Sequence, residues 1–190
     1  HLLSRRQRQM CIRDRYLYDN LFSEYSITVA QLLLTKYILL EDRRKNVENA
    51  LERLISQGVI PVVNENDTVA IDELELEMGE NDSLAAVVAT IANADLLIIM
   101  SDIDGLYDSD PRQNPDAKMI PVVREISEDI HAVAGGAGTK FGTGGMATKI
   151  HAVEIAYESD IDVVLMNGQH PKKLYELFED KPVGTLFHKG

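Results

Sequence analysis

The sequence contains one cysteine, no tryptophan and few aromatic residues of any kind, 6% of 190. A single cysteine, Cys11, cannot form an intramolecular disulfide, which excludes a disulfide-stapled fold and makes the cytoplasm the expected location. Long apolar runs are also lacking. The stretch LLIIM at 96–100 is far shorter than the roughly 20 residues that span a bilayer, and no segment is typical of a signal peptide.

Basic residues are scarce relative to acidic ones. Lys and Arg number 19 and Asp and Glu number 31, which gives a formal net charge of −12 at pH 7. Nucleic acids and anionic membranes require a basic surface, so the charge argues against both as partners. A small polyanion remains compatible, because a few local cations and backbone N–H groups can hold one.

Residues 1–15 differ from the rest of the chain. They hold five arginines and one acid, show little apolar periodicity, and begin with His1 rather than Met. A basic binding arm is one interpretation. We favour foreign sequence, since RRQRQMCIRDR also resembles a translated sequencing adapter, and we expect the native domain to occupy 16–190.

From Tyr16 onwards, helical stripes alternate with short apolar runs. The pattern predicts helices over 41–58, 82–94, 146–159 and 171–178, and strands over 59–63, 73–78, 95–100 and 161–166. Gly58 occupies the position of a C-cap glycine, Asp82 that of an N-cap, and Pro171 lies near the start of its helix. Apolar strands between helices indicate an α/β fold, a three-layer α/β/α sandwich with a mostly parallel sheet.

Ligands of such sheets bind beyond the carboxyl ends of the strands. Polar residues follow three of the predicted strands, and we expect them near the site: Asn64, Asn66 and Asp67, then Ser101 and Asp102, then Asn167 and Gly168.

The glycine-rich stretch FGTGGMATK at 141–149 fails the Walker A pattern, because its lysine follows the threonine. A mobile glycine loop is one interpretation. Successive glycines also allow backbone N–H groups to converge on an anion. A helix predicted to begin at Gly145–Met146 adds its positive end, and Lys149 on the first turn can reach a bound oxygen.

Two further stretches are rich in polar groups. NEND at 64–67 and GEND at 79–82 offer amides and carboxylates that suit the ends of an amino acid, although such residues are also ordinary in turns and caps. SDIDGLYDSDPR at 101–112 holds four aspartates, which fit either Mg²⁺ or an acidic surface loop, and their spacing does not fit an EF-hand.

Five stretches together closely resemble the glutamate 5-kinases of the amino acid kinase superfamily: PVVNENDTVA, GENDSLAAVVA, SDIDGLYDSDPR, GTGGMATKI and the terminal GTLFH. They occur in one order with matching spacing over about 16–190. The resemblance implies an α/β/α fold and transfer of the ATP γ-phosphoryl group to the side-chain carboxylate of L-glutamate. The product, L-glutamyl 5-phosphate, opens proline biosynthesis.

The resemblance also implies residue roles. Lys149 and Asp102 are the expected catalytic residues, with Asp102 as the organiser that positions lysine ammonium groups. Asp67, Asn81 and Asp82 are expected to bind glutamate. The expected ATP contacts are Ser101, Asp102, Thr143, Gly144, Gly145, Met146, Ala147, Thr148 and Lys149. Mg²⁺ is expected to bridge the nucleotide phosphates without a designated protein ligand, proline is a candidate feedback inhibitor, and a homo-oligomer is expected.

The sequence departs from the family pattern at its beginning. The N-terminal strand, the lysine-bearing glycine loop and a glutamate-contacting serine have no counterpart here. We therefore expect an N-terminally truncated kinase domain, without a C-terminal PUA domain, that is inactive alone. The alternatives are another amino acid kinase, acting on N-acetylglutamate or aspartate, and a non-catalytic nucleotide- or amino-acid-binding fragment.

Overall fold

The structure is a computed structural model that describes residues 16–35, 41–66, 81–135, 145–179 and 181–189. The chain forms two compact units, His1–Asn81 and Asp82–Gly190. The predicted strand 73–78 lies outside the described residues. In the part of the chain that the structure describes, no helix is both long and apolar enough to span a membrane.

The first unit contains helix α1 (16–23), strand β1 (Val29–Leu34), helix α2 (Glu41–Ser56) and strand β2 (Ile60–Glu65). The two strands pair in parallel along their whole length. The predicted helix 41–58 is confirmed, whereas β1 was not predicted.

Helix α2 ends as the sequence predicts, at a glycine in the left-handed region. Gly58 has φ +70°. Its N–H donates to Ile55 O at 2.9 Å, and the next amide, of Val59, donates to Leu54 O at 2.9 Å. These two bonds satisfy carbonyls that the helix end would otherwise leave open, and glycine tolerates the required φ without a Cβ penalty.

The second unit carries the remaining elements. They are α3 (Asn81–Ile91, beginning at the unit boundary), β3 (Leu96–Ser101), β4 (Val122–Val123), α4 (Glu128–Gly135), α5 (Met146–Tyr157), β5 (Asp162–Asn167), α6 (Lys173–Phe178) and β6 (Thr185–Phe187). The strand order is β3-β5-β6-β4, parallel except for the antiparallel pair β5–β6. The mixed α/β class with mostly parallel pairing is confirmed.

Strand β5 shows why this unit has three layers. Val163 and Leu165 join one apolar cluster, with side chains of α3, α4 and α5. Val164 and Met166 join another, with Leu174 and Leu177 of α6 among its members. All four β5 side chains are at most 2% exposed. Because successive strand residues point to opposite faces, a run of apolar residues requires helices on both sides.

Three predicted strand ends are wrong by one or two residues. Asn64 lies inside β2, and Ser101 and Asn167 are the last residues of β3 and β5. The apolar runs stop earlier, but the parallel ladders continue through the polar residues, which pair as Leu33 with Asn64 and Ser101 with Asn167. Backbone hydrogen bonding, which is indifferent to side-chain polarity, sets where these strands end.

The carboxyl ends of β3 and β5 lie side by side, as parallel pairing requires. The Gly168 amide donates to Ser101 O at 2.7 Å, immediately beyond the last paired residues. Helix α4 was not predicted. Its apolar residues Ile130, Val133 and Ala134 have helical spacing, but the helix has only eight residues, too short a stretch for periodicity to identify it.

Candidate functional site

A cavity of about 430 Å³ opens in the second unit, beyond the carboxyl end of β3. Its walls are the loop at 102–112, the end of α4 and the start of α5. Its volume lies within the range of small-molecule sites. Among the residues predicted for this role, five line it: Ser101, Asp102, Gly145, Met146 and Lys149.

Helix α5 begins at Met146, as the sequence predicts. Gly145 precedes it with φ 94° and ψ −136°, a backbone conformation that residues with a Cβ rarely adopt. Since Gly145 and Met146 both line the cavity, the positive end of the α5 dipole lies at its wall, where an anion is stabilised.

Lys149 forms an ion pair with Asp82. Its Nζ donates to Asp82 Oδ2 at 2.9 Å, and the side chains are 15% and 23% exposed. Thr148 Oγ1 lies 3.4 Å from the same carboxylate oxygen and donates to Gly145 O at 2.9 Å. Asp82 lies within the first turn of α3, so the prediction that it is the N-cap is wrong. Its carboxylate is directed to a lysine on another helix.

Asp102 has different partners. Its Oδ1 accepts a hydrogen bond from Ser101 Oγ at 3.2 Å, and its Oδ2 lies 3.8 Å from Arg112 Nη2. The aspartate that the structure places on Lys149 is therefore Asp82. That Asp102 positions lysine ammonium groups stays a prediction, and the basic partner that the structure gives Asp102 is Arg112. Asp102 and Arg112 are mostly exposed, so their ion pair contributes little to stability.

The other aspartates of the loop accept hydrogen bonds from backbone or side-chain groups of the same unit. Asp108 accepts the Lys118 amide at 2.9 Å, and this backbone hydrogen bond lowers the pKa of Asp108 below its usual value. Asp110 accepts the Arg112 amide at 2.9 Å, and Asp104 accepts from Asn167 Nδ2 at 3.0 Å. Across the described ranges, no group of three or more His, Cys, Asp or Glu residues is arranged to hold a metal ion.

The remaining predicted residues divide into two groups. Asp67, Thr143 and Gly144 lie outside the described residues. Ala147 and Thr148 lie on the first turn of α5, and Asn81 is the first residue of α3.

Sequence reasoning overlooked part of the cavity wall, namely Ile103, Gly105, Leu106, Tyr107, Ser109–Arg112 and Val133–Gly135. Most of these residues belong to the stretch SDIDGLYDSDPR, of which only Ser101 and Asp102 were assigned to the ATP site. The glycine and the apolar residues of this stretch, Gly105, Leu106 and Tyr107, could have indicated that its backbone lies close to a ligand site.

A cavity at the carboxyl ends of parallel strands, walled by a helix N-terminus and a lysine, is typical of α/β proteins that bind phosphorylated ligands. The chain belongs to the amino acid kinase family, whose sequence profile it matches over residues 15–167.

The resemblance to glutamate 5-kinases is confirmed over about 90% of this chain. The chain is 49% identical over 175 residues to the glutamate 5-kinase of Clostridium perfringens (strain 13 / Type A), covering 90% of this chain. It is 44% identical over 176 residues to that of Lactococcus lactis subsp. lactis (strain IL1403), covering 91% of this chain. The matched region spans 65% of the length of each relative.

The fold also matches a solved structure. The crystal structure of the T. acidophilum isopentenyl phosphate kinase product complex aligns with a TM-score of 0.62 and 20% identity, over 96% of this chain and 68% of that one. This likeness supports the amino acid kinase fold and nothing more specific.

Proposed function

We propose that this chain carries the nucleotide side of a glutamate 5-kinase, which phosphorylates the side-chain carboxylate of L-glutamate with ATP to give L-glutamyl 5-phosphate. The observation that carries the proposal is the 49% identity to a glutamate 5-kinase over 90% of the chain. The cavity beside Lys149 supplies a place for the nucleotide. The family match over residues 15–167 supports the proposal that the kinase domain begins near residue 16. That the domain reaches residue 190 and that 1–15 are foreign belong to the same proposal.

In this proposal the ATP phosphates lie at the start of α5. Backbone N–H groups and the helix dipole attract the anion there, and Lys149 offers a cation from the same turn. The exposed Asp102 carboxylate, at the cavity wall, is an oxygen ligand of the kind Mg²⁺ accepts. Since the described residues form no complete ligand cluster, phosphate oxygens and water would supply the rest. When bound, Mg²⁺ neutralises charge on the phosphates.

Lys149 is the proposed catalytic cation. Phosphoryl transfer spreads negative charge over three oxygens and requires positioned cations and N–H donors rather than a protein nucleophile. Asp82, bonded to Lys149 at 2.9 Å, acts as the positioning residue that fixes this ammonium group. Asp102 lines the cavity and pairs with Arg112. We therefore assign Asp102 to nucleotide binding at the cavity wall and not to the positioning of Lys149.

Glutamate binding is assigned to Asp67, Asn81 and Asp82 on the strength of the resemblance. Homo-oligomerisation, inhibition by proline and a cytoplasmic location belong to the same proposal and rest on the family resemblance and the composition of the sequence alone.

The proposal is tested by measuring ADP release with L-glutamate, N-acetylglutamate or L-aspartate as acceptor. Two proteins are compared: this chain, and a chimera that adds the residues of the Clostridium perfringens relative that it does not match. We expect both to bind Mg·ATP and only the chimera to release ADP rapidly, with L-glutamate. Equal release with and without glutamate would contradict the substrate. Nucleotide binding without turnover in both proteins would favour a non-catalytic binding fragment.

A further inference from the structure

A buried threonine hydroxyl lies between two chain segments, the 105–112 arm, which lines the cavity, and the 118–120 arm. Thr185, the first residue of β6, is 0% exposed. Its Oγ1 donates to Ile120 O at 2.7 Å and accepts from the Leu106 amide at 2.8 Å. A single hydroxyl thus forms hydrogen bonds with one backbone carbonyl and one backbone amide that lie fourteen residues apart in the sequence.

The two arms otherwise pair with each other. The Ile120 amide donates to Leu106 O at 2.8 Å, the Asp108 amide donates to Lys118 O at 2.9 Å, and Tyr107 and Met119 form an antiparallel bridge. In a regular antiparallel ladder, Leu106 and Ile120 would exchange two direct hydrogen bonds. Here only one is direct. The second is replaced by the relay Leu106 N–H to Thr185 Oγ1 to Ile120 O.

Close packing around Gly105 also restrains the chain next to Thr185. A Cβ at Gly105 would lie 2.7 Å from Thr185 Oγ1 and 2.9 Å from Met119 Sδ, so the residue before Leu106 has to be glycine while the threonine occupies this position. Leu106 is itself only 1% exposed. Both arms are therefore tied to β6, a strand in the middle of the sheet.

The 105–112 arm carries part of the cavity wall. Gly105, Leu106 and Tyr107 line the cavity directly, and the chain then continues to Arg112, which also lines it. Displacing Leu106 would shift each of these groups, because they follow one another on a short loop. Thr185 does not belong to the lining residues, so any effect on a ligand has to pass through the loop.

We propose that Thr185 is a positioning residue for nucleotide binding, holding the 105–112 wall of the cavity at a fixed separation from the 118–120 arm. This inference rests on the proposed function, which puts ATP in the cavity. It gives the terminal GTLFH stretch a role in the site: its threonine sets the shape of a wall formed about eighty positions earlier in the chain.

The test compares three variants of the full chain by titration with Mg·ATP in a calorimeter. Thr185→Val keeps the volume but leaves the Leu106 amide and Ile120 carbonyl without this partner, and we expect the dissociation constant to rise about tenfold. Thr185→Ser keeps the hydroxyl and should bind like wild type. Thr90→Val is the matched control, since it removes a threonine hydroxyl bonded to Ala86 O at 3.1 Å within α3.

Amide exchange measured by NMR supplies a readout that needs no ligand. The Leu106 amide should exchange slowly in wild type and in Thr185→Ser, and should lose protection in Thr185→Val while the β5 amides stay protected. If Thr185→Val does not fold, wild type and Thr185→Ser still test the inference. A rapidly exchanging Leu106 amide in wild type, or tenfold weaker Mg·ATP binding by Thr185→Ser, overturns it.

The outcomes separate the two proposals. A wild-type chain that folds and binds no Mg·ATP overturns the proposed function, and the inference with it. Wild-type binding together with unchanged affinity in a folded Thr185→Val variant overturns the inference alone. Equal weakening in Thr185→Val and Thr90→Val also overturns it, because the effect would then be a general loss of stability.

Discussion

Lys149 and Asp82 join the first turn of α5 to the first turn of α3 by an ion pair of 2.9 Å between Nζ and Oδ2. Both side chains are less than a quarter exposed. The pair therefore links the glycine-rich stretch to the GEND stretch, two motifs that lie more than sixty residues apart in the sequence. Removing either partner would leave the other as a partly buried charge.

Replacing Lys149 by alanine should mainly slow turnover. If its ammonium meets the charge that develops on the transferred phosphoryl group, we expect a loss of about a hundredfold or more in kcat, measured as glutamate-dependent ADP release by the chimera. Lys181→Ala is the control, since that lysine pairs with Glu179 at the surface. Near-normal turnover in Lys149→Ala would contradict the assignment of Lys149 as a catalytic residue.

Replacing Asp82 by asparagine should separate positioning from binding. We expect kcat of the chimera to fall about tenfold because Lys149 loses its anchor. Mg·ATP should bind at least as tightly, since a negative charge close to the phosphates is removed. Asp160→Asn serves as the matched control, because Asp160 pairs with the exposed Lys189. Equal losses of turnover and nucleotide affinity would argue that Asp82 binds nucleotide rather than orienting the lysine.

Asp67 and Asn81 should set the affinity for glutamate. Alanine at either position should raise the KM for glutamate in the chimera and leave the KM for ATP little changed, because their carboxylate and amide groups suit the ends of an amino acid. Steady-state kinetics with each substrate varied in turn measures both constants. If the two KM values rise equally, the proposed division of the site is wrong.

Tyr157 should make the chain less stable at high pH. Its hydroxyl donates to Val123 O at 3.0 Å. Burial, together with the nearby Asp162 carboxylate, raises the pKa of Tyr157 from 10.0 to about 12. The unfolded chain therefore loses this proton first, so the stabilisation is intact below about pH 10 and is lost as pH rises towards 12.

Urea unfolding across this pH range measures the effect. Tyr157→Phe should flatten the decline in the free energy of unfolding, whereas Tyr175→Phe, at a tyrosine that is 75% exposed, should not. Parallel declines in wild type and Tyr157→Phe would show that other groups are responsible.

Gly184 should tolerate no side chain. A Cβ built there would overlap the carbonyl oxygen of Leu165, and the backbone φ is +64°. Gly58 has a similar φ of +70° and open space around it, so Gly58→Ala isolates the cost of the backbone conformation. We expect Gly58→Ala to cost about 1 kcal/mol, and Gly184→Ala to cost several times as much because the β5–β6 backbone has to shift. Similar thermal unfolding temperatures for the two variants would contradict this.

Much of the fold could be read from the sequence because its signals are local. The stripe ending at Gly58, the apolar run of β5 and the glycine before α5 each specify an element from residues only a few positions apart. Strand β1 was overlooked because VAQLLL shows neither clear alternation nor flanking turn residues. Strand ends were misplaced at Asn64 and Asn167, where hydrogen-bonded pairing continues after the apolar residues stop.

The sequence by itself determined the α/β class and the order of most helices and strands, through its apolar patterns. It also determined the family, through motifs whose residues and spacing are visible in the sequence. Only the tertiary structure decided that Asp82 rather than Asp102 pairs with Lys149, and that Thr185 completes the hydrogen bonding between Leu106 and Ile120. The physical reason is one of range. Helix and strand patterns depend on neighbours within a turn or two. A contact between side chains sixty or eighty positions apart depends on strand order, ladder register and helix packing together, and the sequence of either partner alone carries none of these.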